Sequence, residues 1–335
     1  MCVQIQNSME KNILLSICIP TYNRAKFLEF CLNSMMSQVT PDLPVEVIVS
    51  DNFSTDNTLG VAEKYLKFPN FKLVKQIQNI GPMKNGLELV RVHAKGKFCW
   101  YVGDDDYVVP GSIQNILELL KRDVDFVFLN LKVFNIANDL VRYSQNKSVE
   151  FEVMDKFENL LLPKYSNIFL GELMGSIFKR ELFLKEINIY NKIDDEYLST
   201  LETSYAHCVI FANQFMGKKA IYVKDVMILA DFRAREWTEK SAYLVVEQLY
   251  NLIQLYKKNG LEKSILVRCE EHYISISFMF FLEFLFNKKS KFRSKISIKR
   301  YIAFVLQRPI KLTKIIMILI VKKMIKILNL GRKEN

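Results

Sequence analysis

Apolar residues in the first 130 positions follow two rhythms. Leu14 to Pro20 and Phe98 to Val102 are short runs without charge, as strands buried on both faces of a parallel sheet should be. Between them Phe27, Leu28, Cys31, Leu32, Met35 and Met36 recur every three or four residues, which predicts a helix with one buried stripe from Ala25 to Met36. Thr40-Pro41-Asp42-Leu43-Pro44 breaks that pattern, and Val45 to Val49 opens a second apolar strand, so the opening is one βαβ unit. That strand ends in Ser50-Asp51-Asn52, and Ser54 to Thr58 supplies capping groups for a helix from about Leu59. A strand at Phe71 to Val74, the loop Gln78 to Pro82 and a helix from Met83 to His93 follow. Lys95-Gly96-Lys97 closes that helix, with Gly96 suited to the left-handed residue at a helix end.

The ends of these strands carry the chemistry. Asp104, Asp105 and Asp106 stand together just after the Phe98 to Val102 strand. Like charges at a strand tip repel, so the cluster calls for water, a cation or a basic partner. A solvated turn is the plain alternative for the triplet alone, since Asp is favoured where strands end. In an open parallel sheet, ligands bind beyond the carboxyl ends of the strands, where Asp51 and the triplet face one crevice. No Gly-rich P-loop or GxGxxG run is present, so a divalent ion bridging to phosphate takes the place of a backbone anion cradle.

Four motifs in order resemble one family. Ser16 to Arg24, Val49 to Thr58, Asn79-Ile80-Gly81 with Lys84-Asn85-Gly86, and Ala94 to Lys97 leading to Gly103-Asp104-Asp105-Asp106 resemble glycosyltransferase family 2, the inverting sugar-nucleotide transferases of GT-A fold. The resemblance is strong over residues 14 to 130, weaker to about 240 and absent beyond. It implies an α/β, GT-A-like (Rossmann-like) mixed, mainly parallel sheet flanked by helices. Residues 1–240 would form the catalytic domain, with 13–130 the nucleotide-sugar half and 131–240 the acceptor half. Carried over by position, it implies a donor site from Pro20, Thr21, Tyr22, Arg24, Asp51, Asn52, Gly81, Lys84 and Asp104. It implies Mg²⁺ or Mn²⁺ at Asp105 and Asp106, the second standing at a commonly acidic position.

The second half is less explicit. An inverting transfer needs a base to take the acceptor's proton, and the acidic pair the family usually places there is not clean. Asp194, Asp195 and Glu196 are near candidates. Glu202, at the start of a helix-like run, is the preferred catalytic residue and His207 the second; helix-dipole pairing and a core histidine are their structural alternatives. Gly171 to Arg180 resembles the family's acceptor-side strand. Arg233 or Arg235 could grip a diphosphate, and Trp237 could stack on a sugar.

Composition adds location. Half of the 335 residues are apolar, and the six cysteines lie scattered without a CxxC pair, which suits reduced core thiols. Met1 to Asn12 is polar and lacks the apolar stretch of a signal peptide, so the catalytic domain is expected to face the cytosol. The net charge of +11 is concentrated: from Lys288 onward fifteen basic residues face one acid, Glu334. Nucleic acid could answer that charge. The run Ile315 to Val321 between lysines, too short to span a bilayer, favours an interfacial helix on an anionic membrane surface instead. Residues 241–335 are therefore expected to form a helical, basic, membrane-associating extension. The expected partners are an NDP-sugar donor and a glycan or polyprenyl-linked glycan acceptor of bacterial surface polysaccharide, with no nucleic acid, and the location is the inner face of the cell membrane. A metal-dependent nucleotidyltransferase and a noncatalytic membrane-surface binding protein are the rival classes.

Overall fold

The computed structural model describes residues 12–134, 149–193, 198–231, 240–286 and 292–318. Among these, 12–160 with 165–231 form one compact unit and 161–164 with 240–318 a second.

The first unit is built on nine strands. In chain order they are β1 (Leu15–Thr21), β2 (Val45–Asp51), β3 (Phe71–Lys75), β4 (Phe98–Tyr101), β5 (Asp106–Val108), β6 (Phe126–Phe134), β7 (Phe151–Met154), β8 (Ser176–Lys179) and β9 (Ala220–Asp231). The sheet order is β3-β2-β1-β4-β8-β6-β9-β5, with β7 also paired to β9. The first four strands are mutually parallel, as the charge-free runs imply. From β8 onward the sheet is mixed: β8 runs antiparallel to β4 and β6, and β9 runs parallel to β6 but antiparallel to β5 and β7.

Side-chain alternation divides the core. Leu15, Ile17 and Ile19 of β1 and Val45, Val47 and Val49 of β2 join Leu28, Cys31, Leu32 and Met35 of helix α1 (Ala25–Met36) in one buried cluster. Helix α2 (Thr58–Glu63) adds Val61 and Ala62, and a later helix, Ser112–Leu120, adds Ile113, Ile116 and Leu120. Elsewhere in this unit Phe126, Phe157, Phe178, Phe183, Phe211 and Phe215 pack as tilted, edge-to-face and stacked rings, for example Phe126 edge-on to Phe157 at 4.9 Å and Phe178 stacked on Phe183 at 4.3 Å.

Helix α3 (Pro82–Glu88) loosens into a π turn over Leu89–His93 where one continuous helix was expected. Gly96 corrects a second expectation, because its φ is not positive. It is glycine because an added Cβ would lie 2.6 Å from the backbone nitrogen of Ser16. The close approach lets its N–H donate to Ser16 Oγ, which in turn donates to the buried Glu46 at 2.6 Å. Glu46 also accepts the Lys95 N–H and the Lys72 ammonium, so the acid inside β2 is fully paired. Helix α4 is Ser112–Leu120, α5 is Arg180–Leu184 and α6 is Leu201–Gln214.

The second unit is helical. After a π turn at Leu244–Gln248 come α7 (Leu249–Lys258), α8 (Lys263–Phe286) and α9 (Ile298–Leu306), and a further helix starts at Pro309. Gly260, at φ 89°, turns α7 into α8. Its core is aromatic, with Phe281 on Tyr301 at 4.1 Å and Tyr273 against Phe304 at 5.5 Å. Among the described residues no helix is long and apolar enough to cross a membrane.

Candidate active site

The carboxyl ends of β1, β2 and β4 supply the groups of interest, and two loops clasp each other there. Asn23 adopts a left-handed φ of 54°, which Asn tolerates, and this turns its side chain back onto the loop after β2. Its Oδ1 accepts the Thr55 N–H at 2.7 Å, and the Arg24 N–H donates to Thr58 Oγ1 at 2.8 Å. Asp56 accepts the N–H groups of Ala25 and Thr58. Asn52 holds the third loop: its Nδ2 donates to Asn79 Oδ1 at 2.9 Å and its Oδ1 accepts the Ile80 N–H at 3.0 Å.

The anionic centre is balanced from within the chain. Asp104 is 8% exposed; it accepts Thr21 Oγ1–H at 2.7 Å and Arg24 Nε–H at 3.2 Å. The same guanidinium reaches Asp105 Oδ2 at 2.5 Å and stacks over Phe27 at 4.6 Å. Arg24 is thus a basic partner that offsets the repulsion within the triplet. Burial still pushes the Asp104 carboxyl up to about 6, against the opposing pull of Arg24.

Asp105 and Asp106 part company. Asp105 remains open to solvent on one side. Asp106 is the first residue of β5, paired with Ala230, and is almost fully buried; its Oδ2 accepts the Gly103 N–H at 2.7 Å. A Cβ at residue 103 would meet Asp105 Oδ1 and Asp106 Oδ2 at 2.8 Å, so glycine is what lets the turn fold onto its acids. Burial, and then the neighbouring Asp105, push the Asp106 carboxyl well above the carboxylate range. The triplet therefore splits into two groups on Arg24 and one turned back into its own turn.

The remaining donor positions surround this centre. Asp51 is 4% exposed; its Oδ2 accepts the Ser54 N–H at 3.1 Å and its Oδ1 has no hydrogen-bond partner. Tyr22 is 42% exposed, and Pro20 is half-buried. Gly81, at φ 81°, precedes Pro82 at the start of α3, whose first turns carry the half-buried Lys84. Asn85 pins α3 onto β2, accepting Ser50 Oγ–H at 2.6 Å and donating to Ser50 O at 3.0 Å. Asn79, Asn85 and Ser50 lie within the family-like motifs, and the structure gives them the role of tying the loop and α3 to the end of β2. Arg233, Arg235, Trp237 and Asp194 to Glu196 lie outside the described residues.

On the acceptor half, the stretch read as a strand from Gly171 to Arg180 is strand only over Ser176–Lys179; Leu173–Gly175 is a 3₁₀ turn and Arg180 begins α5. Before it, Phe169 and Leu170 are consecutive left-handed residues at φ 57° and 68°. Glu172 holds that turn by accepting the Asn167 and Ile168 N–H groups and the Ser166 hydroxyl. Ser166 Oγ accepts the Leu170 N–H at 2.7 Å. Thr200 and Thr203 form a capping box for α6, whose first turn carries the half-buried Glu202. His207 lies deeper on α6 at 4% exposure, near the Leu170 and Gly171 carbonyls but bonded to neither, and burial lowers its pKa to about 4. Helix α6 neighbours α3, the helix that carries Lys84.

Comparison with known proteins bears on this arrangement directly. The sequence profile described as glycosyl transferase family 2 matches residues 16–186. That stretch holds both acidic strand ends, the Arg24 clasp and the Glu172 turn, and it covers half of the chain.

The chain belongs to glycosyl transferase family 2.

Among its relatives are the abequosyltransferase RfbV of Salmonella typhimurium, 35% identical over 122 residues, which are 36% of each chain. Another is the GalNAc(5)-diNAcBac-PP-undecaprenol beta-1,3-glucosyltransferase of Campylobacter jejuni, 29% identical over 181 residues, or 51% of this chain and 55% of that one. This family 2 chain thus spans 36% to 55% of the length of these two curated relatives. Among solved structures, Staphylococcus aureus TarS 1-349 in complex with UDP-GlcNAc shares the fold at a TM-score of 0.56 and 22% identity, over 86% of this chain and 77% of that one. The mannosyltransferase PcManGT of Pyrobaculum calidifontis in complex with GDP-Man and Mn2+ matches at 0.51 and 17% identity, over 90% and 83%.

Proposed function

We propose that this family 2 chain transfers a sugar, with inversion, from a nucleotide-diphosphate sugar to a hydroxyl of a glycan in bacterial surface polysaccharide assembly, with a polyprenyl-linked glycan as the acceptor. One observation carries the reading: Thr21, Arg24, Asp104 and Asp105 converge at the carboxyl ends of parallel strands within the family match.

In this reading Asp51, with one buried oxygen unpartnered, accepts from the nucleotide. Thr21, Tyr22, Asn52 and Asp104 line the base and ribose, and Lys84 on α3 faces the phosphates. The donor set suits a divalent ion that arrives with its substrate. Among the described residues no cluster of three His, Cys, Asp or Glu could hold a metal alone, and Mg²⁺ characteristically keeps one or two carboxylates together with phosphate oxygens and water. Asp105, open to solvent, would hold Mg²⁺ or Mn²⁺. When bound, the ion offsets negative charge developing on the departing β-phosphate. Asp106, buried against Gly103, supports the turn that presents Asp105. Arg24 offsets the repulsion between Asp104 and Asp105 and restrains both before the donor arrives.

Glu202 is the proposed base. Its side chain is half-buried at the start of α6, whereas His207 is only 4% exposed. The basic C-terminal region would hold the enzyme on an anionic membrane surface at the cytoplasmic face of the cell membrane, beside a lipid-linked acceptor.

Calorimetry with UDP, GDP, CDP and dTDP, each with and without Mn²⁺, tests the reading. One nucleotide should bind tightly only with the metal. Uniform indifference to all four would refute it.

A further inference from the structure

Helix α9 presents its apolar residues on two sides. Tyr301, Phe304 and Val305 face inward and are buried. Ile302 and Leu306, one turn apart, are 45% and 62% exposed, and Ile310 on the next helix is 74% exposed. Single exposed apolar side chains are ordinary; three in succession at four-residue spacing are not. This edge also opens into a cleft of about 130 Å³ lined by Ile302 and Leu306 together with Phe278, Phe281, Tyr301 and Leu312.

The charge along this stretch of sequence has one sign. From Phe292 to Ile318 the sequence holds seven basic residues and no acid. Arg300 and Arg308 turn inward onto Glu247 and Glu270. Lys299 and Lys314 are exposed, and Lys311 is half-buried. Apolar side chains flanked by outward lysines are the pattern of an element lying in a bilayer interface, where lysines meet anionic headgroups while aliphatic groups enter the acyl boundary.

We infer that the edge formed by Ile302, Leu306 and Ile310 is the docking surface for an anionic bilayer. This deepens the membrane part of the function proposed above. It also adds α9 and the helix start after it to the run beginning at Ile315, in which Ile315 is buried while Ile316, Met317 and Ile318 are 41%, 55% and 54% exposed.

The test is flotation of the full chain with phosphatidylcholine vesicles, with and without phosphatidylglycerol. The wild type should float only with the anionic vesicles. I302S/L306S should lower the bound fraction roughly five-fold, and K299E/K314E should lower it independently. All four side chains lie on the surface, and circular dichroism checks that each variant is folded. If I302S/L306S floats like the wild type, this edge is not the docking surface, although membrane association through other residues survives. If the wild type ignores anionic vesicles, both statements fall, while metal-dependent nucleotide binding is untouched.

Discussion

At the residue scale the site is a competition for charge. Arg24 binds two carboxylates of one turn, and the third, Asp106, is withdrawn into the turn and biased toward its protonated form by burial. The two neighbours should therefore respond differently to substitution. Asp105→Ala is expected to abolish the Mn²⁺ dependence of nucleotide affinity and of turnover. Asp106→Asn, which keeps an acceptor for the Gly103 N–H, should retain both. Metal titrations followed by calorimetry separate these outcomes, and retained metal dependence in Asp105→Ala would remove it from that role. His207 makes a second case. Its pKa is about 4 in the fold against 6.5 for the free side chain, so it stays neutral where an unfolded chain would take up a proton. Its contribution to stability is therefore complete above pH 6.5 and is lost as pH falls toward 4, on the order of 3 kcal/mol in all. Urea midpoints measured between pH 7 and pH 4 should fall more steeply for the wild type than for His207→Gln.

At the element scale, strand ends and helix starts are tied by buried polar links. Asn85 locks α3 to β2, and the Gly96–Ser16–Glu46 chain locks the segment before β4 against β1 and β2. Two glycines distinguish close approach from mere helix membership. Gly96→Ala drives a Cβ to 2.6 Å from a backbone nitrogen, so it should cost several kcal/mol, on the order of ~3. Gly86→Ala meets Tyr101 at 3.6 Å and Pro20 at 4.0 Å, both ordinary contacts, within α3 and should be neutral or slightly stabilising, by up to about 1 kcal/mol. Chemical denaturation of the two variants checks the contrast. The Phe169–Leu170 turn is the opposite kind of element. Two left-handed residues cost roughly 1–3 kcal/mol each and persist because Glu172 and Ser166 hold the surrounding backbone.

For the whole molecule, the excess of +11 charges gathers toward the C-terminal end. Membrane attachment through lysines and apolar groups together should be partly salt-sensitive. Raising salt from about 0.1 M to 1 M shortens the screening length from roughly 10 to 3 Å. The wild type should then lose most of its vesicle binding, and K299E/K314E, already lacking that charge, should lose proportionately less. Sedimentation across a salt series reads this directly.

What the chain declared by itself was periodic or clustered. The charge-free runs became β1 and β4, the stripe from Leu28 to Met36 became the buried face of α1, and the acids at strand ends met where a parallel sheet puts them. Local pattern suffices there because burial on both faces, or on one stripe, is written in consecutive residues. Tertiary structure alone decided the rest. Arg24 and Asp104 stand eighty positions apart, and only the β1–β4 pairing makes them a salt bridge. Asp104, Asp105 and Asp106 are alike as letters, yet the fold sets Asp104 and Asp105 on Arg24 and turns Asp106 back onto the Gly103 N–H. Gly96 reads as a helix terminator and is in fact a point of contact between distant backbones. Desolvation and close approach depend on what the fold places around a residue, and no run of neighbours in the sequence encodes that.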